Sequence, residues 1–190
     1  MTMRLQAHAA ADRATFEGLY RAHFAFAWRA LARLGVDERD LADATQDVFV
    51  VVYKKYPEFD GASRPTTWFY AICMRVASDR RRSARSRLEV LTDAAAVPEP
   101  PAQADDGGTL DTHRRALLAA ALDELPLEQR AVFTLFELDA MTGDAIAKLL
   151  GIPAPTVHSR LRLARATVRR SLERARAREH FELAKVGALP

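Results

Sequence analysis

Four side chains near the C-terminal end of the chain, His158, Arg162, Arg165 and Arg169, recur at steps of four, three and four. That spacing gathers residues on one face of a helix. Arginine in such a row recognises rather than makes bonds. Its planar fork can hold the O6/N7 edge of guanine through two hydrogen bonds, or grip phosphate oxygens. Pro155, Thr156, Ser159 and Arg160 stand at or near the N-terminal end of the same stretch, the part of a groove-entering helix that meets base edges. Later arginines suit the phosphate backbone. Residues 158–178 carry eight Arg against one Glu. A solvated arginine face on an αα-hairpin is the plainer reading of such a helix, and the sequence upstream of it decides between the two.

A second basic block, residues 75–87, carries six Arg and one Asp. It comprises Arg75, Asp79, Arg80, Arg81, Arg82, Arg85 and Arg87. Just before it come a turn-rich segment, PEFDGASRPT (57–66), and an aromatic run, Trp68, Phe69 and Tyr70. Guanidinium groups for phosphate beside ring faces for bases are the makings of a nucleic-acid contact. Trp68 and Phe69 fit a helix core at least as well. A third constellation is acidic and apolar: Asp40, Asp43, Gln46, Asp47, Phe49 and Tyr53. Residues 36–60 hold seven acids and three bases, a net −4, which repels DNA and suits a basic protein partner. Phe49, Val50, Val51 and Tyr53 exceed what one core-facing stripe requires.

Bond-making chemistry finds little support. His8, His23, His113, His158 and His180 are scattered, with no metal-ligand or triad spacing, and no Gly-rich phosphate loop occurs. Cys73 is the single cysteine, which removes intramolecular disulfides and cysteine-pair zinc sites, fits a reducing cytoplasm and reads as a buried apolar residue. No cofactor or metal is expected. No run of about 18 apolar residues is present, and MTMRLQAHAAADR lacks the apolar core of a secretory signal. Formal net charge is only +3, but the basic blocks are separated by residues 88–111 with six acids and no base. That distribution points to two separate contacts with a polyanion.

The elements that must position these residues read as helices throughout. Phe16, Leu19, Tyr20, Phe24, Ala27, Trp28, Leu31 and Leu34 share a face of a first helix, capped at Asp12 or Thr15 and ended by Gly35. Asp37 opens a second, with Asp40 in a capping-box-like place. VFVVVY (48–53) has the β-branched content of a strand, but it lies inside a longer helical period with no turn before Pro57. Thr66 or Thr67 caps a third helix, lined by Trp68, Ile72 and Val76. Residues 88–110, Pro-, Ala- and Asp-rich, read as a flexible linker. Helical signal returns near Asp111, and TGDAIAKLL takes its cap from Thr142 or Asp144. Gly151 then turns the chain sharply, and Pro153 cannot extend the helix before it. Pro155 sits where the next helix tolerates a missing N–H. Helix, tight turn and basic helix make a helix-turn-helix signature. The expected fold is all-α: two small helical domains, 14–87 and 111–178, between a tail at 1–13 and another at 179–190.

Taken together, the two halves resemble the extracytoplasmic-function (group 4) sigma factors of bacterial RNA polymerase, within the sigma-70 family. DLADATQDVFVVVYKKYPEFDG resembles the region 2 segment that docks on the polymerase clamp. TTWFYAICMRVASDRRRSARSR resembles the segment that reads and opens the −10 element. LDELPLEQRAVFTLFELDAMTGDAIAKLLGIPAPTVHSRLRLARATVRR resembles region 4, which binds the −35 element. The resemblance implies contacts with the β′ clamp and β flap of core polymerase, with promoter DNA, and in many members with an anti-sigma factor, all in the cytoplasm. It assigns Asp40, Asp43, Gln46, Asp47, Phe49 and Tyr53 to the clamp. It assigns Phe59, Ser63, Arg64, Thr67, Trp68, Tyr70, Arg75, Asp79, Arg80, Arg81 and Arg82 to the −10 element, with the loop from Phe59 to Thr66 taking up a base. Pro155, Thr156, His158, Ser159, Arg160, Arg162, Arg165 and Arg169 fall to the −35 element. The chain departs from the family pattern in having Arg75 in place of Asn, His158 in place of a basic residue, and Gly143 where an aromatic is common.

Two other classes compete. A helix-turn-helix regulator with an N-terminal interaction domain needs neither the acidic–apolar face at 40–53 nor the second basic block at 75–87. An enzyme needs a site that the scattered histidines do not make.

Overall fold

A computed structural model of the chain describes residues 2–59, 65–93 and 109–186. Among the described residues every regular element is helical: α1 (Thr2–Arg33), α2 (Leu41–Lys55), α3 (Pro65–Asp93), α4 (Thr109–Asp123), α5 (Leu127–Glu137), α6 (Gly143–Leu150) and α7 (Ala154–Val186), with short 3-10 turns at Glu38–Asp40 and Tyr56–Glu58. The chain divides into two compact units, the first made of residues up to Arg85 together with Lys148–Gly151 and the second of Ser86–Ala147 together with the residues from Ile152 on.

In the first unit α1 and α2 lie side by side, joined by a tight corner. Gly35 adopts φ +86, and the Val36 N–H donates to the Leu31 carbonyl at 3.1 Å. This closes the helix end in the manner of a Schellman motif, which glycine adopts without strain. Asp37 then accepts from the Arg39 N–H at 3.0 Å, and its 3-10 turn precedes α2, whose N-cap is Asp40. The expected second helix is therefore a 3-10 turn followed by an α-helix. Residues 48–53 are helical. Ala27, Ala30, Leu31 and Leu34 from α1 are buried, as are Leu41, Ala44, Val48, Phe49 and Val52 from α2 and Phe69, Tyr70, Ile72, Cys73, Val76 and Ala77 from α3. Burial pushes the Cys73 thiol up to about 12, so it stays protonated and unreactive, as its core reading requires.

The second unit builds its core from Ala121, Leu122 and Leu125, from Ala131, Val132, Phe133 and Leu135 on α5, and from Ile146, Val157, Leu161, Ala164 and Val168 on α6 and α7. The Thr142 hydroxyl accepts from the Ala145 N–H at 3.3 Å, so Thr142, rather than Asp144, caps α6. At the other end Gly151 takes φ +64, and the Ile152 N–H reaches the Ala147 carbonyl at 3.1 Å. Pro153 then accepts from the Thr156 N–H at 2.9 Å, which places Pro155 in the first turn of α7 where no donor is needed.

Helix ends are where sequence reading and structure part. α1 begins at Thr2 and continues straight through Asp12 and Thr15, because an alanine-rich start with no Gly or Pro offers no stop. The third helix opens on Pro65, not Thr66 or Thr67, using proline's preset φ. The linker expected at 88–110 is helical at both ends, through Asp93 and from Thr109, and its middle, 94–108, lies outside the described residues. α7 continues to Val186, past the expected end at 178. In each case nothing in the sequence forbids another turn, and periodicity of apolar residues marks only the packed part of a helix.

A carboxylate ties α7 to the end of α4. Glu124 accepts from the Ser171 hydroxyl at 2.7 Å and from Arg174 at 2.5 Å. These bonds, Ser171 first, hold its carboxyl below the usual carboxylate range. A lowered folded-state value means that the tie stabilises above the unfolded carboxylate range and is lost as pH falls through the lowered value. Glu124→Gln should therefore lower the thermal midpoint at pH 7 and converge with the parent chain in acid. Identical midpoints at both pH values would show that the tie contributes nothing.

Candidate nucleic-acid and protein interfaces

Three surfaces arise from this scaffold. The first is a groove between α1 and α2. Phe16, Tyr20, Phe24 and Trp28 recur at steps of four along α1, and Ala42, Gln46, Phe49, Val50 and Tyr53 face them from α2, around an open space of about 590 Å³. Phe16 meets Tyr53 edge-on at 5.2 Å between ring centroids, and Tyr20 lies 4.5 Å from Phe49. Tyr20, Val50 and Tyr53 stay 40%, 45% and 57% exposed, unusual for apolar and aromatic side chains beside one another. Asp43 and Asp47 are exposed on α2 beyond this groove, with Asp40 half-buried at its start. Phe49 corrects the sequence reading: only 3% exposed, it forms the groove's floor and packs into the core. The α1 wall was the missed part. Its aromatics and its core residues Ala27, Leu31 and Leu34 form two neighbouring stripes that sequence inspection merged into one. The all-aromatic ladder at i, i+4 was the available signal.

The second surface lies on α3 and the turn before it. Phe59 and Trp68 are half-buried with centroids 4.9 Å apart, and Trp68 meets Phe69 edge-on at 5.7 Å. These paired rings stand on either side of 60–64; Ser63 and Arg64 lie outside the described residues. Thr67 is in the first turn of α3. Tyr70 departs from its expected role: it is 2% exposed and packs against Phe26 at 6.2 Å, so its ring offers no platform. Farther along, Arg75 is exposed, and Arg82 pairs with Asp79 at 3.3 Å on the outer face. Arg81 turns inward and donates to the Leu34 carbonyl at 3.5 Å, close to the end of α1. Its place near a helix C-terminus suits a cation and takes it away from the arginine row. Arg80 is ion-paired with Asp47 of α2. That hydrogen bond, more than the charges of Asp40 and Asp43, raises the Arg80 pKa further above its ordinary value.

The third surface is the N-terminal half of α7. Val157, Leu161, Ala164 and Val168 are buried and fix the rotation of the helix. Pro155, His158, Ser159, Arg162 and Arg169 are thereby exposed, and Thr156 and Arg160 half-buried. Arg162 and Arg169 have no ion-pair partner among the described residues. Arg165 differs from its row. Its Nε donates to Glu137 at 2.7 Å, and its guanidinium lies 5.1 Å from the centroid of Phe136. A cation held by a carboxylate and a ring face is committed to α5, so Arg165 braces α7 rather than projecting freely. His158 rests against the first turn of α6: a Cβ placed on Gly143 would lie 3.3 Å from its Cε1 and 3.7 Å from its Nε2. No helix among the described residues is long and apolar enough to cross a membrane.

Comparisons with known proteins agree on one group. Residues 19–87 match the family Sigma-70 region 2, and residues 115–168 match Sigma-70, region 4. The ECF RNA polymerase sigma factor SigL of Mycobacterium tuberculosis (strain ATCC 25618 / H37Rv) is 34% identical over 173 residues, covering 90% of this chain and 96% of that protein. SigM of the same strain is 30% identical over 169 residues, covering 88% and 82%. Among solved structures, the sigma factor RpoE in complex with the anti-sigma factor NepR from Bartonella quintana superposes with a TM-score of 0.56 at 20% identity, over 84% of this chain and 97% of that one. That likeness is one of fold.

Proposed function

The chain belongs to the extracytoplasmic-function sigma factors of the sigma-70 family and directs RNA polymerase to promoters, and from this we propose how its surfaces divide that work. The observation that carries the function is the order of matches: region 2 and then region 4, each lying mainly in its own helical unit. A lone helix-turn-helix regulator has no use for the first. The test is run-off transcription with core RNA polymerase on a promoter library. Specific transcripts that need the chain support the reading, whereas DNA binding without any transcript returns the regulator.

In this division, residues 14–87 act as the region 2 domain and 111–178 as the region 4 domain, with 88–110 connecting them. The α1–α2 groove takes the β′ clamp of core polymerase. Its exposed rings supply apolar contact, and Asp43 and Asp47 supply acid for a basic surface. Gln46 and Tyr53 line it, while Phe49 shapes it from below. The −10 element meets Phe59, Trp68 and the segment between them, with Ser63, Arg64 and Thr67, and its phosphates meet Arg75, Arg80 and Arg82 beside Asp79. The −35 element meets Pro155, Thr156, His158, Ser159, Arg160, Arg162 and Arg169, while the region 4 unit also contacts the β flap. The chain does no bond chemistry itself, works in the cytoplasm, and acts on the nucleoid when bound to polymerase. An anti-sigma factor, the kind of partner that RpoE holds in its complex, is a partner for this chain as well.

Arg162 and Arg169 separate base reading from backbone grip. In the polymerase-bound protein, Arg162→Ala should cost ~1–3 kcal/mol on the preferred −35 sequence and relax preference at one base position. Arg169→Ala should weaken all sequences alike and lower the salt slope by about one unit. Titrations on −35 variants at several salt concentrations distinguish them. Equal effects of both changes on every sequence would mean that α7 grips only the backbone.

A further inference from the structure

Two residues that look unrelated in sequence, Gly143 and His158, touch in the structure. Gly143 is the first residue of α6. Its backbone does not call for glycine, since among the described residues only Gly35 and Gly151 are glycines of positive φ. Glycine also weakens a helix relative to alanine. What remains is the room left by the missing side chain, and the His158 imidazole lies against it. An added Cβ would stand 3.3 Å from Cε1, tighter than ordinary van der Waals contact between carbons. The α7 backbone cannot yield, because the neighbours Val157 and Leu161 are buried in the core. The imidazole itself must give by a few tenths of an ångström. His158 is exposed, lies next to the exposed Ser159 and stands one turn before Arg162, so its direction decides what it meets in the groove.

We propose that Gly143 is a positioning residue for −35 recognition: its bare Cα seats the His158 ring against the start of α6 and so sets which −35 position that ring reads. Gly143 itself touches no base in this arrangement. The proposal rests on α7 being the −35 helix, and the experiment keeps the two apart.

The experiment uses polymerase carrying the full chain on a promoter library randomised across the −35 element, with the −10 element fixed. Five forms are compared: parent, Gly143→Ala, His158→Ala, the double variant and, as a control, Arg162→Ala. His158→Ala should flatten preference at one −35 position by roughly fivefold to tenfold, the scale of one or two direct hydrogen bonds. Gly143→Ala should change preference at that same position by a comparable factor while the chain keeps its helicity. In the double variant the Gly143 change should have no further effect, the signature of action through one partner. A Gly143→Ala effect that persists without His158, or no effect at all, overturns the positioning role and leaves the −35 reading intact. His158→Ala without any change in preference overturns the proposal from the other side. If Arg162→Ala is equally silent in the same library, the assignment of α7 to the −35 element falls with it.

Discussion

Val50→Arg combined with Tyr53→Ala should weaken binding of the chain to core RNA polymerase by roughly thirtyfold or more, on the scale of losing a buried aromatic hot spot at ~2–4 kcal/mol. Both side chains are about half exposed at the mouth of the α1–α2 groove, so neither change removes a core contact. Tyr53 gives a ring that meets Phe16 edge-on and leaves its outer face for a partner. Val50→Arg puts a cation into an apolar groove bordered by Asp43 and Asp47, where it repels a basic partner and neutralises the acids that attract one. The measurement is a titration of core polymerase with the variant chain, together with its far-ultraviolet helicity. Full helicity with lost affinity is the expected result. Unchanged affinity would remove the groove from the polymerase interface. Phe49→Ala is the wrong instrument for this question, because a residue 3% exposed unfolds what it is meant to probe.

Phe69→Ala and Trp68→Ala should differ more than any other neighbouring pair. Phe69 is fully buried, stacked on His23 at 4.5 Å and near Phe49 at 5.8 Å. Its truncation should cost ~3–5 kcal/mol of folding stability, a large share of the ~5–15 kcal/mol that holds a domain together. For a unit of this size that corresponds to a fall in thermal midpoint on the order of 20 °C. Trp68 is half-buried and shares its outer side with Phe59. Its loss should cost much less stability and instead impair strand opening, where stacking of one base contributes ~1–3 kcal/mol. Thermal unfolding and permanganate reactivity of the promoter read the two quantities separately. A Trp68 variant that unfolds like the Phe69 variant, with opening unchanged in the remaining folded chain, would make both rings core.

What could be read in the sequence was local chemistry. Gly35, Thr142, Gly151 and Pro155 each announce a specific backbone geometry, and each sits where that geometry is needed. The helical reading of 48–53 followed from period rather than β-branched content, and the helix is there. What could not be read depends on rotation about a helix axis and on long side chains choosing partners. Tyr70 follows Phe69 in sequence, yet both rings face inward, because α3 packs its start on the remainder of its unit across more than one stripe. Arg165 falls in register with Arg162 and Arg169, but the acid and ring that hold it belong to α5, the acid 28 residues away. Arg81 likewise finds a carbonyl 47 residues distant. A row of arginines in sequence is therefore not a row of free charges, and only the structure says which of them are already engaged.

The ion pair between Asp47 and Arg80 carries a thermodynamic obligation. One of its ends lies on the surface proposed for polymerase and the other on the surface proposed for DNA. A basic polymerase group that takes Asp47 releases the Arg80 guanidinium, and a phosphate that takes Arg80 releases the carboxylate. Coupling free energies are reciprocal, so whatever factor core enzyme adds to the affinity for promoter through this pair, promoter returns to the affinity for core enzyme. The free chain holds each surface partly satisfied by the other, which discourages either partner from binding alone and favours the ternary assembly. Because both groups are partly exposed, the factor shrinks as salt screens the pair, and cooperativity between the two partners falls along with the affinity itself.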